Sequence, residues 1–461
     1  RPVKMVWTRE ESIRGHGKRH PCSMRHRWGA TRDGVLTAVD IKIVLDAGAY
    51  ASTSEALLAN AVSFLAGPYA VPNATIDGYA VYTNNCMTVA MRGFGATQPP
   101  VGYESQMDKL AEALHMDPVE IRMRNLLEPG SVAVTGNRMP AGTAIRETLR
   151  AAAQAAGWRE AESGWVRPQV PEPPAPHLRR GVGVACAYKN VGFSFGSHDQ
   201  AAASVELTLA PGGAIEQAIV RCGAVDVGEG AATVLPQLAA QTLGVRVAQV
   251  QVEPVDTAAV PNSGSTSASR QSFMSGMAVV RACRMALEKR DAARQQGRQP
   301  SEVRAEAAFD GGEVRLTTPL GPQTGECEPH ISYTFGTQIA IVDVDPETGL
   351  VTVPRLYAAN NAGRVINPQM SFGQVAGGVH MGSGFALTEE FIQHGGWIKT
   401  QRLSQYHVPT VGDMPAEMVS ILTEVPDSGG PYGIAGLRNA YPADGGGDPE
   451  WHPRCSRSVD R

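Results

Sequence analysis

The fold class is decided by residues 24–48, which read MRHRWGATRDGVLTAVDIKIVLDAG. Asp33 and Gly34 separate two segments in which apolar and polar residues alternate. An Asp-Gly pair between such segments is a strong hairpin signal, and the alternation has the period of a strand with one buried face. Residues 24–46 are therefore predicted to form a β-hairpin.

Helical periodicity follows further along the chain. Residues 101–116 place Leu110 and Leu114 at helical spacing, and Asp117-Pro118 is typical of the start of another helix. A strand is predicted at 77–85, hairpins at 201–223 and 337–360, and helices at 144–158, 231–245, 272–296 and 371–391. Hairpins alternate with long helices without regular βαβ units, so the sequence predicts an α+β fold and disfavours a doubly wound parallel sheet.

Composition bounds the class of protein. The 461 residues predict two or more domains. A formal net charge of −4 gives no sign of nucleic-acid or membrane binding, and no apolar run approaches the ~18 residues of a membrane span. The seven Cys contain no CxxC pair, so no iron–sulfur cluster is expected within this chain. Their odd number and scattered positions favour reduced thiols in the cytoplasm.

The chain is predicted to divide near its middle. It begins RPVKMVWTREE, with no initiator Met or signal peptide, so Arg1 is expected to lie inside a longer protein. The Pro-rich residues 166–181 predict a stiff linker or a surface excursion. We expect one domain over 1–150 and a second over 151–437.

The loop RGFG at 92–95 is the most unusual motif. Gly93 and Gly95 free the backbone to present N–H groups to an anion, and Phe94 offers a ring face for stacking. The alternative is a tight turn that carries Arg92 on the surface.

The loop DVGEG at 226–230 precedes the predicted helix at 231–245. Gly228 and Gly230 would let backbone amides approach a ligand at the helix N-terminus. Glu229 would place a like charge beside an anion there. An ordinary strand-to-helix loop remains the alternative.

The segment VPNSGSTSAS at 260–269 is rich in hydroxyl groups. Ser265, Thr266, Ser267 and Ser269 could supply hydrogen bonds to a polar ligand. The alternative is a helix N-cap with a flexible loop.

The segment VGFSFGSHDQ at 191–200 places Phe193 and Phe195 around Ser194. Two aromatic residues at this spacing usually share the core-facing side of a strand. His198 beside Asp199 resembles a proton-shuttling pair, but no nucleophile is adjacent, so both are interpreted as surface residues.

Gln374 begins the Gly-rich helix predicted at 371–391. Its side-chain amide could form hydrogen bonds with the edge of a heterocycle. The alternative is an ordinary polar residue at the start of a helix. With the four loops above, this segment is predicted to converge on one large anionic ligand.

Taken in order, the motifs resemble the molybdenum-cofactor-binding large subunit of xanthine dehydrogenases and aldehyde oxidases. They are RGFG at 92–95, MDPVEIRMRNLL at 116–127, DVGEG at 226–230, VPNSGSTSAS at 260–269, AGRVINP at 362–368 and GQVAGG at 373–378. The resemblance covers residues 1–437 and implies two α+β cofactor-binding domains. The family's N-terminal hammerhead domain and first Gly-rich cofactor loop would precede Arg1.

The resemblance implies a chemistry and a set of partners. The cofactor is molybdenum–molybdopterin, with the cytosine dinucleotide form as one alternative. An aldehyde or N-heterocycle is oxidised with water as the oxygen source and hydride transfer to a sulfido ligand of molybdenum. The partners are a small subunit carrying 2Fe-2S and a medium subunit carrying FAD.

The resemblance also implies cofactor or substrate contacts for twelve residues. They are Arg92, Gly93, Phe94, Gly95, Phe193, Ser194, Gly228, Glu229, Ser267, Ala268, Ser269 and Gln374. Position 229 departs from the family, which has Gln there. Asn60 lies on a segment expected near the same pocket.

The end of the chain departs further. GIAGL at 433–437 matches the start of a family motif whose Glu is the general base, and Asn439 stands where that Glu is expected. Read one base out of frame, the following codons permit Glu-Met-Pro-Thr-Pro-Pro, which resembles the family's continuation. Our hypothesis is that residues 438–461 are a frameshifted tail and that the chain as written lacks its base. A genuine divergent C-terminus is the alternative.

Two other functions remain open from the sequence. A non-catalytic cofactor-insertion or scaffold protein would keep the loops without the base. A flavin or nucleotide dehydrogenase is disfavoured because the chain has no strand–GxGxxG–helix unit.

Overall fold

The computed structural model describes residues 3–162 and 164–436. Within these ranges, sheets built mainly from antiparallel strands pack against long helices, so the predicted α+β class is confirmed. The hypothesis of a frameshifted tail at 438–461 falls outside the described residues.

The first sheet has the strand order β1–β2–β3 and follows the short helix α1 (Arg9–Gly15). Its strands are β1 (Cys22–Ala30), β2 (Leu36–Gly48) and β3 (Ala74–Tyr82). β1 and β2 are antiparallel, as the predicted hairpin requires. β3 runs parallel to β2, because helix α2 (Ser54–Ser63) carries the chain back before β3 begins.

Three helices follow the first sheet. They are α3 (Pro99–Ala113), α4 (Pro118–Asn125) and α5 (Ile145–Ala155). Asp117 caps α4, since its Oδ1 accepts a hydrogen bond from the Val119 N–H at 2.8 Å. The sequence therefore predicted both the helix and its start. A small hairpin, β4 (Arg159–Ala161) with β5 (Gly164–Val166), comes next.

A long central sheet has the order β15–β12–β11–β6. Its strands are β6 (Arg179–Ser194), β11 (His330–Val344), β12 (Val351–Asn361) and β15 (Glu417–Thr423). β15 pairs parallel with β12, whereas the other pairs are antiparallel. α5 packs on this sheet, and Val375 and Val379 of α8 (Pro368–Ser383) join a cluster with apolar residues of β11 and β12.

A further sheet has the order β10–β7–β8–β9. Its strands are β7 (Gln200–Leu209), β8 (Ile215–Cys222), β9 (Val250–Val252) and β10 (Glu302–Asp310). Helices α6 (Ala231–Leu243) and α7 (Gly276–Gln295) contribute to its apolar core. β7 and β8 form the predicted hairpin.

One hydrophobic core contains residues from both sides of position 150. Leu149, Trp158 and Phe335 belong to the same buried cluster. The division into 1–150 and 151–437 stays a prediction. The linker predicted at 166–181 is confirmed only for residues 167–178, which contain no helix or strand, because β5 ends at Val166 and β6 begins at Arg179.

The small hairpin β13 (Gln393–His394) with β14 (Trp397–Ile398) and the short helix α9 (Leu403–Tyr406) lie between α8 and β15. In the described ranges, none of the helices combines the length and apolar character that a bilayer crossing requires.

Candidate functional site

The RGFG loop lies between β3 and α3 and is held against α2. Gly95 adopts a φ of +87°, and a Cβ there would press on the Leu57 carbonyl of α2. Asn60 on the same helix donates from Nδ2 to the Phe94 carbonyl at 2.6 Å. The close approach and this hydrogen bond hold the loop against α2, and the expected place of Asn60 near the pocket stays a prediction.

Arg92 reaches from this loop to two distant motifs. Its Nη2 donates to the side-chain oxygen of Gln374 at 3.2 Å, and Gln374 Nε2 donates to the Gly228 carbonyl at 3.4 Å. Burial lowers the pKa of the Arg92 guanidinium, and within residues 3–162 and 164–436 no carboxylate pairs with it. A half-buried cation without a counter-ion in the described chain is suited to an anionic ligand.

The DVGEG loop corrects one expectation. The amides of Gly228, Gly230 and Ala232 all donate to the carboxylate of Asp226, at 2.7, 3.3 and 3.0 Å. The prediction that the Gly228 and Gly230 amides face a ligand is wrong, because Asp226 occupies them and caps α6 itself. Open space does lie where a Cβ of Gly228 would project, and its carbonyl is the group that meets Gln374.

Glu229 turns back onto its own loop. One carboxylate oxygen accepts from the Val227 N–H at 2.7 Å, and the other is buried without a partner among the described residues. Burial raises the pKa of this carboxyl, and the charge of Asp226 acts in the same direction.

The hydroxyl-rich loop at 260–269 uses most of its hydroxyls within the chain. Thr266 donates to the Val225 carbonyl at 2.6 Å, and Ser265 and Ser267 bond to each other at 2.8 Å. Ala268 and Ser269 have left-handed φ values of +50° and +54°. The loop is thus joined to Val225, the residue before DVGEG, and ends in two strained residues.

A fully buried ion pair supports that strained turn. Arg270 Nε donates to Asp199 Oδ1 at 2.8 Å, and its terminal nitrogens donate to the carbonyls of Ser263, Ser265 and Gln200. The interpretation of Asp199 as a surface residue is wrong, whereas His198 is exposed and pairs with Asp310 at 2.8 Å. No local signal marks Arg270, because its partner lies 71 positions away.

The end of β6 approaches the same turn. The Gly192 N–H donates to the Ala268 carbonyl at 2.9 Å, and the Phe193 N–H donates to Asp199 at 2.7 Å. Phe193 is half-buried rather than part of a strand core.

His330 is a residue that sequence reasoning missed. Its Nδ1 lies 2.8 Å from Ser194 Oγ and its Nε2 lies 3.5 Å from Ser63 Oγ. The ring is fully enclosed and stacks on Phe64 with 5.1 Å between centroids. Burial lowers the pKa of His330 well below its ordinary value.

These contacts join the predicted loops in a closed circuit, which we call the contact ring. Arg92 bonds to Gln374, and Gln374 bonds to Gly228 of DVGEG. Thr266 bonds to Val225, which precedes DVGEG, and belongs to the loop that ends at the Ala268 turn. Gly192 bonds to Ala268, and Ser194 on the same strand bonds to His330. His330 contacts Ser63 of α2, and Asn60 of α2 bonds to Phe94 of RGFG. The described chain ends on the ring, where a Cβ of Gly436 would meet the Ser269 carbonyl.

Sequence models of the molybdopterin cofactor-binding domain match two segments of the chain. One matches residues 1–126 and the other residues 151–415. The chain belongs to this molybdopterin cofactor-binding family. The resemblance inferred from the motifs is therefore confirmed.

Known proteins extend the same finding. The chain is 31% identical over 459 residues to a probable xanthine dehydrogenase subunit of Bacillus subtilis, covering 95% of this chain and 60% of that protein. It is 46% identical over 156 residues to the nicotinate dehydrogenase large molybdopterin subunit of Eubacterium barkeri, covering 34% and 37% of the two chains. The aldehyde oxidoreductase structure from Desulfovibrio gigas superposes with a TM-score of 0.79 at 25% identity, covering 95% of this chain and 50% of that one. The chain thus spans about 60% of the length of the Bacillus subtilis relative.

Proposed function

We propose that this chain is the cofactor-binding part of a molybdenum hydroxylase that oxidises an aldehyde or N-heterocycle with water as the oxygen source. The observation that carries the proposal is the contact ring. Arg92, Gly228 and Gln374 come from parts of the chain up to 282 positions apart and meet directly. A few polar groups that converge from distant loops are a usual feature of ligand sites.

The residues present are suited to a large anionic cofactor. The Arg92 guanidinium has no carboxylate partner within the described ranges, and the carbonyl oxygen of the Asn60 side chain is buried without a hydrogen bond there. Gly228 faces open space. Arg92, Gln374 and the open face at Gly228 would hold the pterin phosphate, and the bound group would supply the two-electron oxidation.

The turn at Ala268 and the end of β6 would bound the reacting side. Phe193 and Ser194 are half-buried, so their side chains are accessible to a bound molecule. We place the substrate there, with Ser194 as a polar contact and Phe193 as an aromatic wall. Ser267 and Ser269 complete the proposed lining.

The first test is cofactor content. The full-length gene product is purified, and its molybdenum and pterin are measured by elemental analysis and pterin fluorescence. We expect both in a constant ratio to protein, in the cytosine dinucleotide or mononucleotide form, with 2Fe-2S and FAD on co-purifying subunits. A protein that holds neither molybdenum nor pterin contradicts the proposal.

A non-catalytic pterin-binding protein is the second candidate, and one observation favours it. Asn439 stands where the family's general-base Glu is expected, and a neutral amide cannot accept a proton at neutral pH. Bound cofactor without turnover of aldehydes or purines would support this candidate. Sequencing the coding DNA at codons 438–454 tests the frameshift hypothesis, since codons that cannot spell the family's continuation rule it out.

A further inference from the structure

Ser194 lies at the edge of a buried polar set that also contains Asn190, His330 and Ser63. Asn190 and His330 are both almost entirely enclosed, whereas Ser194 is half-exposed. The Ser194 hydroxyl therefore faces fixed partners on the inner side and is accessible to a ligand on the outer side. The directions of the hydrogen bonds in this buried set decide whether Ser194 offers the ligand a donor or an acceptor.

The direction of the Asn190 contact is fixed by a carbonyl. Asn190 Nδ2 lies 2.8 Å from the Gly192 carbonyl and 3.0 Å from Ser194 Oγ. A carbonyl only accepts, so the amide nitrogen must be the atom placed between both groups. Ser194 Oγ consequently accepts one hydrogen bond from Asn190.

The hydrogen bonds around the His330 ring favour one tautomer. Ser63 lies 2.8 Å from the Asn60 carbonyl and donates its proton there, so towards His330 Nε2 it can only accept. Nε2 must then carry the ring proton and Nδ1 must be the acceptor. Among the described residues, the opposite tautomer would leave Nε2 as a buried acceptor beside a Ser63 hydroxyl whose proton is already donated to the Asn60 carbonyl.

The ring is also neutral. Burial lowers its pKa well below the ordinary value, and the positive charge of Lys189 acts in the same direction. The Ser194 O–H consequently donates to His330 Nδ1 at 2.8 Å. One acceptor position on Ser194 Oγ remains for a ligand.

We propose that His330 is a positioning residue that makes Ser194 a hydrogen-bond acceptor, so that the molecule bound at Ser194 must bring an N–H or O–H group. This inference rests on the proposed function for the location of the substrate. It narrows the substrate class to N-heterocycles with a ring N–H or a hydroxyl. A simple aldehyde offers no such donor.

The tautomer is tested by nitrogen NMR of the full chain labelled with ¹⁵N-histidine, with the His330 signals assigned by their loss in His330→Gln. We expect the wild-type ring to carry its proton on Nε2. Ser63→Ala removes the Nε2 acceptor and should shift the signals towards a mixture of tautomers. Wild-type protonation at Nδ1 overturns the proposal.

Thr148→Val is the matched control for Ser63→Ala. Thr148 also donates to the carbonyl three positions earlier, at 2.9 Å, and it contacts Thr337 in the core. Its substitution removes a buried hydroxyl without touching His330. We expect the His330 signals to stay in place, and a shift equal to that of Ser63→Ala overturns the assignment of Ser63 as the Nε2 partner.

The requirement for a hydrogen-bond donor on the ligand is tested with 2-pyridone and 1-methyl-2-pyridone. In the second compound a methyl group replaces the hydrogen of the ring N–H. We expect the cofactor-loaded protein to bind 2-pyridone about 2- to 13-fold more tightly, the size of one hydrogen bond, and Ser194→Ala to abolish that preference. An unchanged preference in Ser194→Ala, or equal binding of both probes by the wild type, overturns the assignment. The tautomer measurement needs no cofactor, so failure of the proposed function appears separately, as missing molybdenum with an intact Nε2–H signal.

Discussion

Arg122 and Arg270 are both fully buried, yet they hold different parts of the fold. Arg122 donates to Glu104 and Asp108 at 2.7 Å each and to the Pro118 carbonyl at 2.9 Å. These groups belong to α3 and α4, so the buried guanidinium cross-links these two helices. Tyr69 completes the cluster by donating to Glu104 at 2.6 Å.

Arg270 has a single carboxylate partner, Asp199, and three backbone carbonyl partners. Two of those carbonyls, of Ser263 and Ser265, belong to the loop that ends in the left-handed residues Ala268 and Ser269. The partners of Arg122 lie on two helices, whereas two of the partners of Arg270 are carbonyls of one loop, whose path they fix. The comparison teaches that equal burial of two arginines serves fold stability in one region and the shape of the candidate site in the other.

The largest effect is expected for Arg270→Met. Removing the guanidinium leaves Asp199 buried and unpaired, which costs about 3–5 kcal/mol of unfolding free energy. The freed carbonyls also release the Ala268 turn, so molybdenum bound per folded chain should fall. Urea unfolding and elemental analysis measure the two effects.

Arg122→Met is the matched control for that experiment. It also leaves a buried carboxylate, Glu104, without its cation, so a similar loss of stability is expected. The molybdenum content per folded chain should stay normal, because the hydrogen bonds of Arg122 within residues 3–162 and 164–436 go to Glu104, Asp108 and Pro118, outside the contact ring. Equal loss of molybdenum in both variants would contradict the claim that Arg270 shapes the candidate site while Arg122 only stabilises the fold.

A smaller effect is expected for Arg92→Met. Loss of a charge-assisted hydrogen bond should weaken cofactor retention about 10- to 100-fold, which equals about 1.4–2.8 kcal/mol. Stability should change little, because Arg92 has no ion pair in the described part of the chain. Arg179→Met is the control, since Arg179 is exposed and its hydrogen bonds in the described part of the chain go to nearby carbonyls. Pterin release on dilution is the measurement.

Ala268→Gly tests whether the turn held by Arg270 is strained. A non-glycine residue at a φ of +50° stores conformational energy, so glycine should stabilise the protein by about 0.5–1 kcal/mol. Ala286→Gly, inside helix α7, should instead destabilise by about 1 kcal/mol. Equilibrium unfolding in urea compares them, and a destabilising Ala268→Gly would show that the turn carries no strain.

The smallest effect concerns Glu229. Burial raises its pKa in the folded chain, so the fold favours the protonated carboxyl. The wild type should therefore lose stability relative to Glu229→Gln as the pH rises from about 4.3 through the raised folded pKa. The difference should stay below about 1 kcal/mol, because the half-exposed carboxyl is screened by solvent. Melting temperatures from pH 4 to 8 measure it, and parallel curves would contradict the sign.

Local signals predicted most of the secondary structure. The Asp33-Gly34 turn, the Asp117 cap and the spacing in 101–116 each depend on neighbouring residues, and all three were confirmed. The motifs also identified the loops that meet in the contact ring. Their assignment to cofactor and substrate stays a prediction.

Long-range polar contacts could not be predicted in this way. His330 meets Ser194 across 136 positions, and Arg270 meets Asp199 across 71. Neither pair leaves a periodic or spacing signal. The capture of the Gly228 amide by Asp226 was missed for another reason, because a short acidic side chain competes with any ligand for the same donors.

The last described segment completes its contacts late in the synthesis of the chain. Ile434 pairs with Gly363, Tyr432 bonds to Thr242 at 2.8 Å, and Gly436 packs against the Ser269 turn. These contacts can form only after residue 436 has left the ribosome. The Ser269 turn therefore acquires its packing against Gly436 after the loops that precede it in the chain have been synthesised.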